Sequence, residues 1–295
     1  MGDTLKTAFG DQIKRVLKKS KVPTVVTEEN VYQEGDPFIL SILDEMVEHL
    51  ILPGSGLDGM NHLEDLYTKA ESGKSCLLLV EHYSNMDLSI VSFFAKMAES
   101  RGQEIRNSII AIAGMKLNED NPIVAAFTGA YTKIVICPSR ALHDLDPEKD
   151  KAEIARGHAI NRAAMKALIR QKYKSKLVLI FPSGTRYRPW EPDTKKGVRE
   201  IDSYIRSFDY MCFVAINGML LHVQQTDMLN DAVSRDIVRV TVSPVVNCGE
   251  FRDKIHAATP DDEDKKQAVA DEIMKELEKM HIAAEAERLK LFSEK

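Results

Sequence analysis

The chain has few cysteines, no long apolar run and no excess of positive charge, and each shortage excludes a class. Of its 295 residues four are cysteine, Cys76, Cys137, Cys212 and Cys248, far apart and with no Cys-x-x-Cys pair or His/Cys cluster. A disulfide scaffold and a thiolate metal site are therefore not expected; buried free thiols in a reducing compartment are. No apolar stretch approaches the roughly 20 residues that cross a bilayer as a helix, and nothing resembles a secretory leader. The expectation is a cytoplasmic protein, soluble or peripheral to a membrane. With 40 Lys+Arg against 45 Asp+Glu the net charge is −5, which argues against a general nucleic-acid binder. There is no internal repeat and no low-complexity segment.

What is present is an ordinary globular composition, 44% hydrophobic and 29% charged, in a chain long enough for one large domain or one and a half, with an ample core. Residues 4 to 19 place Leu5, Phe9, Ile13, Val16 and Leu17 on one helical face, with Lys14, Arg15, Lys18 and Lys19 elsewhere. A basic amphipathic helix of this kind packs on the domain or touches an anionic membrane. Further helices are expected over 37–50 and 61–72. From residue 76 the rhythm changes: apolar strands at 76–81, 108–113, 133–137, 177–181, 211–216 and 237–245 alternate with helical stretches, and a last helix runs from about 262 to 290. The pattern predicts an α/β fold, a mixed sheet flanked by helices. It is preceded by a small helical domain over 1–74, and the 75–295 domain ends in the C-terminal helix.

Phe181-Pro182-Ser183-Gly184-Thr185-Arg186, continuing to Tyr187-Arg188-Pro189, follows the apolar run Leu177–Ile180. Strand, Pro, Gly and two arginines two residues apart describe backbone leaving a sheet edge and presenting guanidinium groups, whose planar fork suits a phosphate monoester. Alternate residues of an extended segment share a face, so both groups can converge on one anion. The competing reading is a surface pairing with Glu191 or Asp193. Gly184 is expected to allow close approach or a positive φ.

A hundred residues upstream stands His82-Tyr83-Ser84-Asn85-Met86-Asp87. The spacing His-x4-Asp occurs three times, at His82/Asp87, His222/Asp227 and His256/Asp261, so spacing alone selects nothing. Residues five apart touch neither along one helix nor along one strand; they meet only across a bend. His82 has the strand, turn and helix that such a bend needs, and Asp87 falls near the helix start, where a carboxylate is favoured. His82 is therefore the candidate general base and Asp87 the group that fixes its tautomer. His158, Arg162, Lys166 and Arg170 recur every four residues on a predicted helix, a basic stripe that either faces solvent or docks an acidic partner.

These segments together resemble the glycerophosphate acyltransferases. That family carries His-x4-Asp in a first block, an Arg after a strand in a second, a Phe-Pro-Glu-Gly-Thr-Arg-like third and a short apolar fourth. The matching segments here are His82–Asp87, Gly129–Arg140, Phe181–Arg186 and Val214-Ala215-Ile216-Asn217-Gly218, within about residues 75 to 250. The chain is most similar to the soluble plastid type, which also places Arg-x-Arg-Pro after Pro-Ser-Gly, so a plastid stroma is the alternative location. Departures are Glu81 where the family often has Asn, Ser183 where most members have Glu, and His143 displaced from Arg140.

The resemblance implies a glycerol-3-phosphate 1-O-acyltransferase with no cofactor and no metal. A thioester donor, acyl carrier protein or acyl-coenzyme A, would give up its acyl group to glycerol 3-phosphate. His82 and Asp87 would be catalytic, and Arg186, Arg188 and Arg140, with Lys133, would bind phosphate. Ser183, Gly184 and Thr185 would shape the turn at the site, and the stripe from His158 to Arg170 would dock the donor. The alternatives are a 1-acylglycerol-3-phosphate acyltransferase and a catalytically silent module that binds lipid or carrier protein.

Overall fold

The structure, a computed structural model, describes residues 2–97 and 101–293. Among them nine strands form one mixed sheet: β1 (Tyr32–Gln33), β2 (Gly56–Asp58), β3 (Cys76–Val80), β4 (Ile109–Gly114), β5 (Lys133–Ile136), β6 (Leu177–Ile180), β7 (Tyr210–Asn217), β8 (Arg239–Val242) and β9 (Val246–Asn247). Their order is β1-β5-β4-β6-β3-β7-β8-β2, with β9 also paired to β7. The central five, β5-β4-β6-β3-β7, are mutually parallel, whereas β1 runs antiparallel to β5, β8 and β9 run antiparallel to β7, and β2 is parallel to β8. The fold is α/β, as the alternation predicts.

The parallel strands read as continuous apolar runs because both sheet faces are covered. Side chains alternate between two cores. Leu78, Val80, Leu179, Val214 and Ile216 meet the N-terminal helices and the helix Asp87–Lys96. Leu77, Leu79, Val178, Ile180 and Phe213 meet the helices Lys151–Gln171, Ile201–Ser207 and Lys265–Ser293. All four cysteines are free and buried in these cores, and burial pushes the Cys76 and Cys212 thiols up to about 12.

The first 74 residues contain the expected helices at Pro37–Leu50 and Met60–Glu71. Asp36 caps the former by accepting from the amides of Phe38 and Ile39, and Pro37 occupies its first turn, where no N–H is missed. The helix expected over 4–19 is interrupted at Phe9, between Leu5–Ala8 and Gly10–Lys19. This segment is not purely helical. It supplies β1 on one edge of the sheet and β2 on the other, and Leu5, Val16, Ile42 and Leu66 share a core with Leu78 and Val80.

Candidate active site

β3 and β6 are adjacent and parallel, with Leu79 opposite Ile180, so the chain leaves both at the same edge of the sheet. The carboxyl edge of an open parallel sheet is where ligands of such folds bind. Here the turns after the two strands are tied together: the Tyr187 N–H donates to the His82 carbonyl at 2.8 Å. The Phe181 ring stacks on the His82 imidazole, centroids 3.9 Å apart and planes 15° from parallel.

His82 and Asp87 meet across the bend. Nδ1 of His82 lies 2.9 Å from Oδ2 of Asp87. Asp87 is buried at the first position of its helix and also accepts from the amides of Tyr83 (2.6 Å) and Ser84 (2.8 Å) and from the Ser84 hydroxyl (2.8 Å). A carboxylate so surrounded is an acceptor only. Nδ1 therefore carries the proton, and Nε2, which no described residue hydrogen-bonds, keeps its lone pair. The other two pairs of the same spacing do not form. His222 bonds Ser234 while Asp227 caps Leu229 and accepts from Asn121. His256 lies against Asp202, and Asp261 pairs with Lys265.

The turn after β6 has the geometry its sequence suggests. Gly184 has φ of 66°, a left-handed conformation that favours glycine, and its amide is taken by the Phe181 carbonyl. Ser183 is buried, its hydroxyl donating to the Thr185 carbonyl at 2.7 Å. Arg186 is half-buried and touches Asp231 through one nitrogen at 3.4 Å, leaving most of its five donors unengaged among the described residues. Burial holds its guanidinium below the usual value; Arg188 adds to the lowering, and the Asp231 and Asp87 charges oppose it. Arg188 forms the pairing with Glu191 that the sequence offered as the alternative, at 2.9 Å. Arg140 is exposed after β5, on the short helix Ser139–His143, and its charge helps lower the Asp193 carboxyl after the Lys196 hydrogen bond and charge have done most of the work. The loop between Arg188 and Lys195 therefore lies within electrostatic reach of Arg140.

Lys133 is a correction. It opens β5 rather than closing it, so it lies at the amino edge, opposite the side where Arg140 emerges. Its ammonium is buried, donates to the carbonyl and hydroxyl of Thr128, and is pushed down to about 8 by burial. The basic stripe also stands apart from His82. His158, Arg162, Lys166 and Arg170 occupy the outer face of Lys151–Gln171. Met165 and Ile169 are exposed on the same face and Tyr173 in the turn that follows, an apolar component that the charge pattern did not reveal. Glu28 and Glu29 border the groove beside Arg162 and Lys166.

Three further residues complete the surroundings of the site, and two of them, Asp231 and His281, have no local signature in the sequence. Asp231, forty-five residues from Arg186, holds that guanidinium. Glu81, buried at the end of β3, accepts from the Ile216 amide (2.9 Å), the Tyr83 hydroxyl (3.1 Å) and Nδ1 of His281 (2.9 Å). His281 comes from the C-terminal helix. The one available hint was Glu81 itself, an acid ending an apolar run, which requires partners when buried. His82, Tyr83, Ser183 and Tyr187 line a cleft closed on the helix side by Met274 and by a Lys195–Glu278 ion pair of 2.6 Å.

Among the described residues no group of three or more His, Cys, Asp or Glu side chains is placed to hold a metal ion, and no helix is long and apolar enough to cross a membrane. No protein-family model matches the chain, and a search of curated protein sequences gave no significant match.

Proposed function

We propose that this protein transfers a fatty acyl group from a thioester to the sn-1 hydroxyl of glycerol 3-phosphate. The observation that carries the reading is the His82–Asp87 pair, whose free Nε2 stands one strand away from the Arg186 guanidinium with its spare donors. In the reaction Nε2 takes the hydroxyl proton as that oxygen attacks the thioester carbonyl. Asp87 stabilises the imidazolium that results. Collapse of the tetrahedral adduct expels the thiolate, which recovers the proton from His82, so the substrate supplies the nucleophile and no acyl-enzyme is needed. Arg186 binds the phosphate, joined by Arg188 once the ligand displaces Glu191 and by Arg140 from the end of β5, two strands along from β6. Charge-assisted hydrogen bonds of this kind recognise phosphate oxygens.

For the donor, the outer face of Lys151–Gln171 combines Arg162, Lys166 and Arg170 with exposed Met165 and Ile169, and Tyr173 is exposed in the turn that follows. A basic rim around apolar contacts suits an acidic acyl carrier protein. The test is purified protein with labelled glycerol 3-phosphate, 1-acylglycerol 3-phosphate or glycerol, each offered both carrier-protein and coenzyme A thioesters. Acylation of glycerol 3-phosphate alone is expected. Equal use of glycerol removes the phosphate site, preference for the monoacylated acceptor replaces the substrate, and no transfer to any acceptor overturns the proposal.

A further inference from the structure

The C-terminal helix Lys265–Ser293 is attached in two different ways along its length. Its first half is anchored by apolar side chains, Val269, Ala270, Ile273 and Leu277, all essentially inaccessible to solvent. From His281 through Phe292 no residue is fully buried. That part is held by polar groups instead: His281 to Glu81 at 2.9 Å, Glu285 to the Asn217 side chain at 3.0 Å, and Arg288 to Asp236 at 2.9 Å. The change falls where the helix passes the turn that carries His82. Glu81 is the residue before His82, and its carboxylate is shared among β7, Tyr83 and the helix. Tyr83 in turn donates its amide to Asp87 and packs its ring against His281, centroids 5.4 Å apart.

We propose that Glu81 and His281 are positioning residues, which couple the distal half of the C-terminal helix to the His82 turn and hold Asp87 and His82 in register. This rests on the acyl-transfer reading only for its catalytic consequence; the coupling itself is a property of the turn. Glu81 ties the turn to β7 and to the helix at once, so loss of either tie lets Tyr83 and Ser84 move and weakens their amide bonds to Asp87. The coupling is also sensitive to pH. The groups facing His281 are Glu81, Glu278 and Glu285, with the Tyr83 ring; Arg288 pairs with Glu285 and Lys195 with Glu278. Burial opposes the His281 charge, but the Glu81 hydrogen bond and the three carboxylates prevail, raising its pKa above the ordinary 6.5. A raised value in the folded state means that the tie is at full strength below about pH 6.5 and weakens as pH rises through the raised value.

The experiment follows amide hydrogen exchange at Tyr83 and Ser84 and across 278–290, beside acyl-transfer kinetics, in wild type, Glu81→Gln, His281→Ala and His281→Asn. The asparagine variant keeps a donor where Nδ1 stood and cannot titrate. Glu81→Gln and His281→Ala are expected to speed exchange at both places by about tenfold, since the first replaces a charged hydrogen bond by a weaker neutral one and the second removes it, exposing the segment to local opening. They should lower kcat with the glycerol 3-phosphate KM nearly unchanged. His281→Asn should restore protection and abolish its dependence on pH between 6 and 9. Unchanged exchange at Tyr83 and Ser84 in both Glu81→Gln and His281→Ala overturns the proposal whatever the activity. Faster exchange with wild-type kcat, while His82→Ala is inactive, overturns the catalytic consequence and leaves the acyl-transfer reading standing. An active His82→Ala removes that reading and leaves the exchange result to decide the coupling.

Discussion

The two edges of the central sheet use their polar residues differently. At the amino edge the buried and half-buried polar groups close on neighbours. Asp209 accepts from the Ser75 amide and hydroxyl, both at 2.8 Å; Lys133 donates to Thr128; Lys172 donates to the Ser207 carbonyl. At the carboxyl edge the corresponding groups are held but not used up: His82 keeps Nε2, and Arg186 and Arg188 each touch a carboxylate through a single nitrogen. Satisfied polar groups serve stability, whereas a fixed group with spare hydrogen-bonding capacity is prepared for a ligand. The contrast predicts that substitutions at the carboxyl edge change reaction rates with little effect on folding, and those at the amino edge the reverse.

The largest effect belongs to His82→Ala. Loss of a general base removes about 10²–10⁴-fold of rate, so turnover of glycerol 3-phosphate should fall by that factor while the thermal midpoint barely moves. His222→Ala, a histidine of the same spacing whose partner is Ser234, should keep wild-type turnover. Equal losses in both, or full activity in His82→Ala, would erase the distinction between the edges.

Next come the arginines. Arg186→Ala should weaken glycerol 3-phosphate by about 1.5–3 kcal/mol, the range for a charged hydrogen bond, seen as a rise in its KM with a smaller effect on the donor. Arg188→Ala should act in the same direction and less, because the ligand must displace Glu191 before it gains Arg188. Lys133→Met should leave the acceptor KM where it is, since that ammonium faces Thr128. A KM raised by Lys133→Met and not by Arg186→Ala would invert the assignment of edges.

What could be read from the residues alone follows the same division. The central strands were legible because doubly covered parallel strands are unbroken apolar runs, Leu77–Val80 and Leu177–Ile180 among them. β1 and β2, two and three residues long, are too short to show a period, so the N-terminal segment looked wholly helical. His82 and Asp87 were legible because their meeting requires only a local bend. Asp231 and His281 were not: they reach the site from 45 and 200 positions away through the tertiary fold. Lys133 has the charge that a phosphate site needs, but as the first residue of a parallel strand it stands at the amino edge, and only the strand's bounds show that.

Asp209→Ala tests the amino edge. It strands the donors of a buried Ser75, which costs about 1–3 kcal/mol, read as a lower denaturation midpoint with acyl-transfer kinetics preserved. The sign with pH is fixed. Burial would raise the Asp209 carboxyl, but the Ser75 hydrogen bonds, helped by Lys74 and Lys172, lower it overall. The stabilisation it provides is therefore complete above its ordinary value near 3.9 and is lost as pH falls through the lowered one. The stability gap between wild type and variant should be constant near neutrality and close only in acid. A gap that widened in acid would mean that Asp209 is protonated in the fold.

The smallest effect concerns a surface belonging to neither edge. The helix Lys151–Gln171 crosses from one to the other: Asn161 clasps the backbone of Cys137 at the carboxyl end of β5, and Lys172, just past its last turn, reaches Ser207 at the amino end of β7. Its exposed basic and apolar side chains are free to serve a partner without disturbing either edge. Reversing Arg162 and Lys166 to Glu should raise the KM for a carrier-protein thioester several-fold, with kcat and the glycerol 3-phosphate KM unaltered. Exposed charges are screened beyond about 8 Å at physiological ionic strength, so added salt should raise the wild-type KM toward that of the variant. Met165→Ser with Ile169→Ser should raise it too, and that increase should survive salt, because apolar contact is not screened. Separate salt responses of the charge and apolar variants would identify a docking surface with both components. Identical kinetics for all of them with the carrier-protein donor would return the helix face to solvent and leave donor binding to the cleft between His82 and the C-terminal helix.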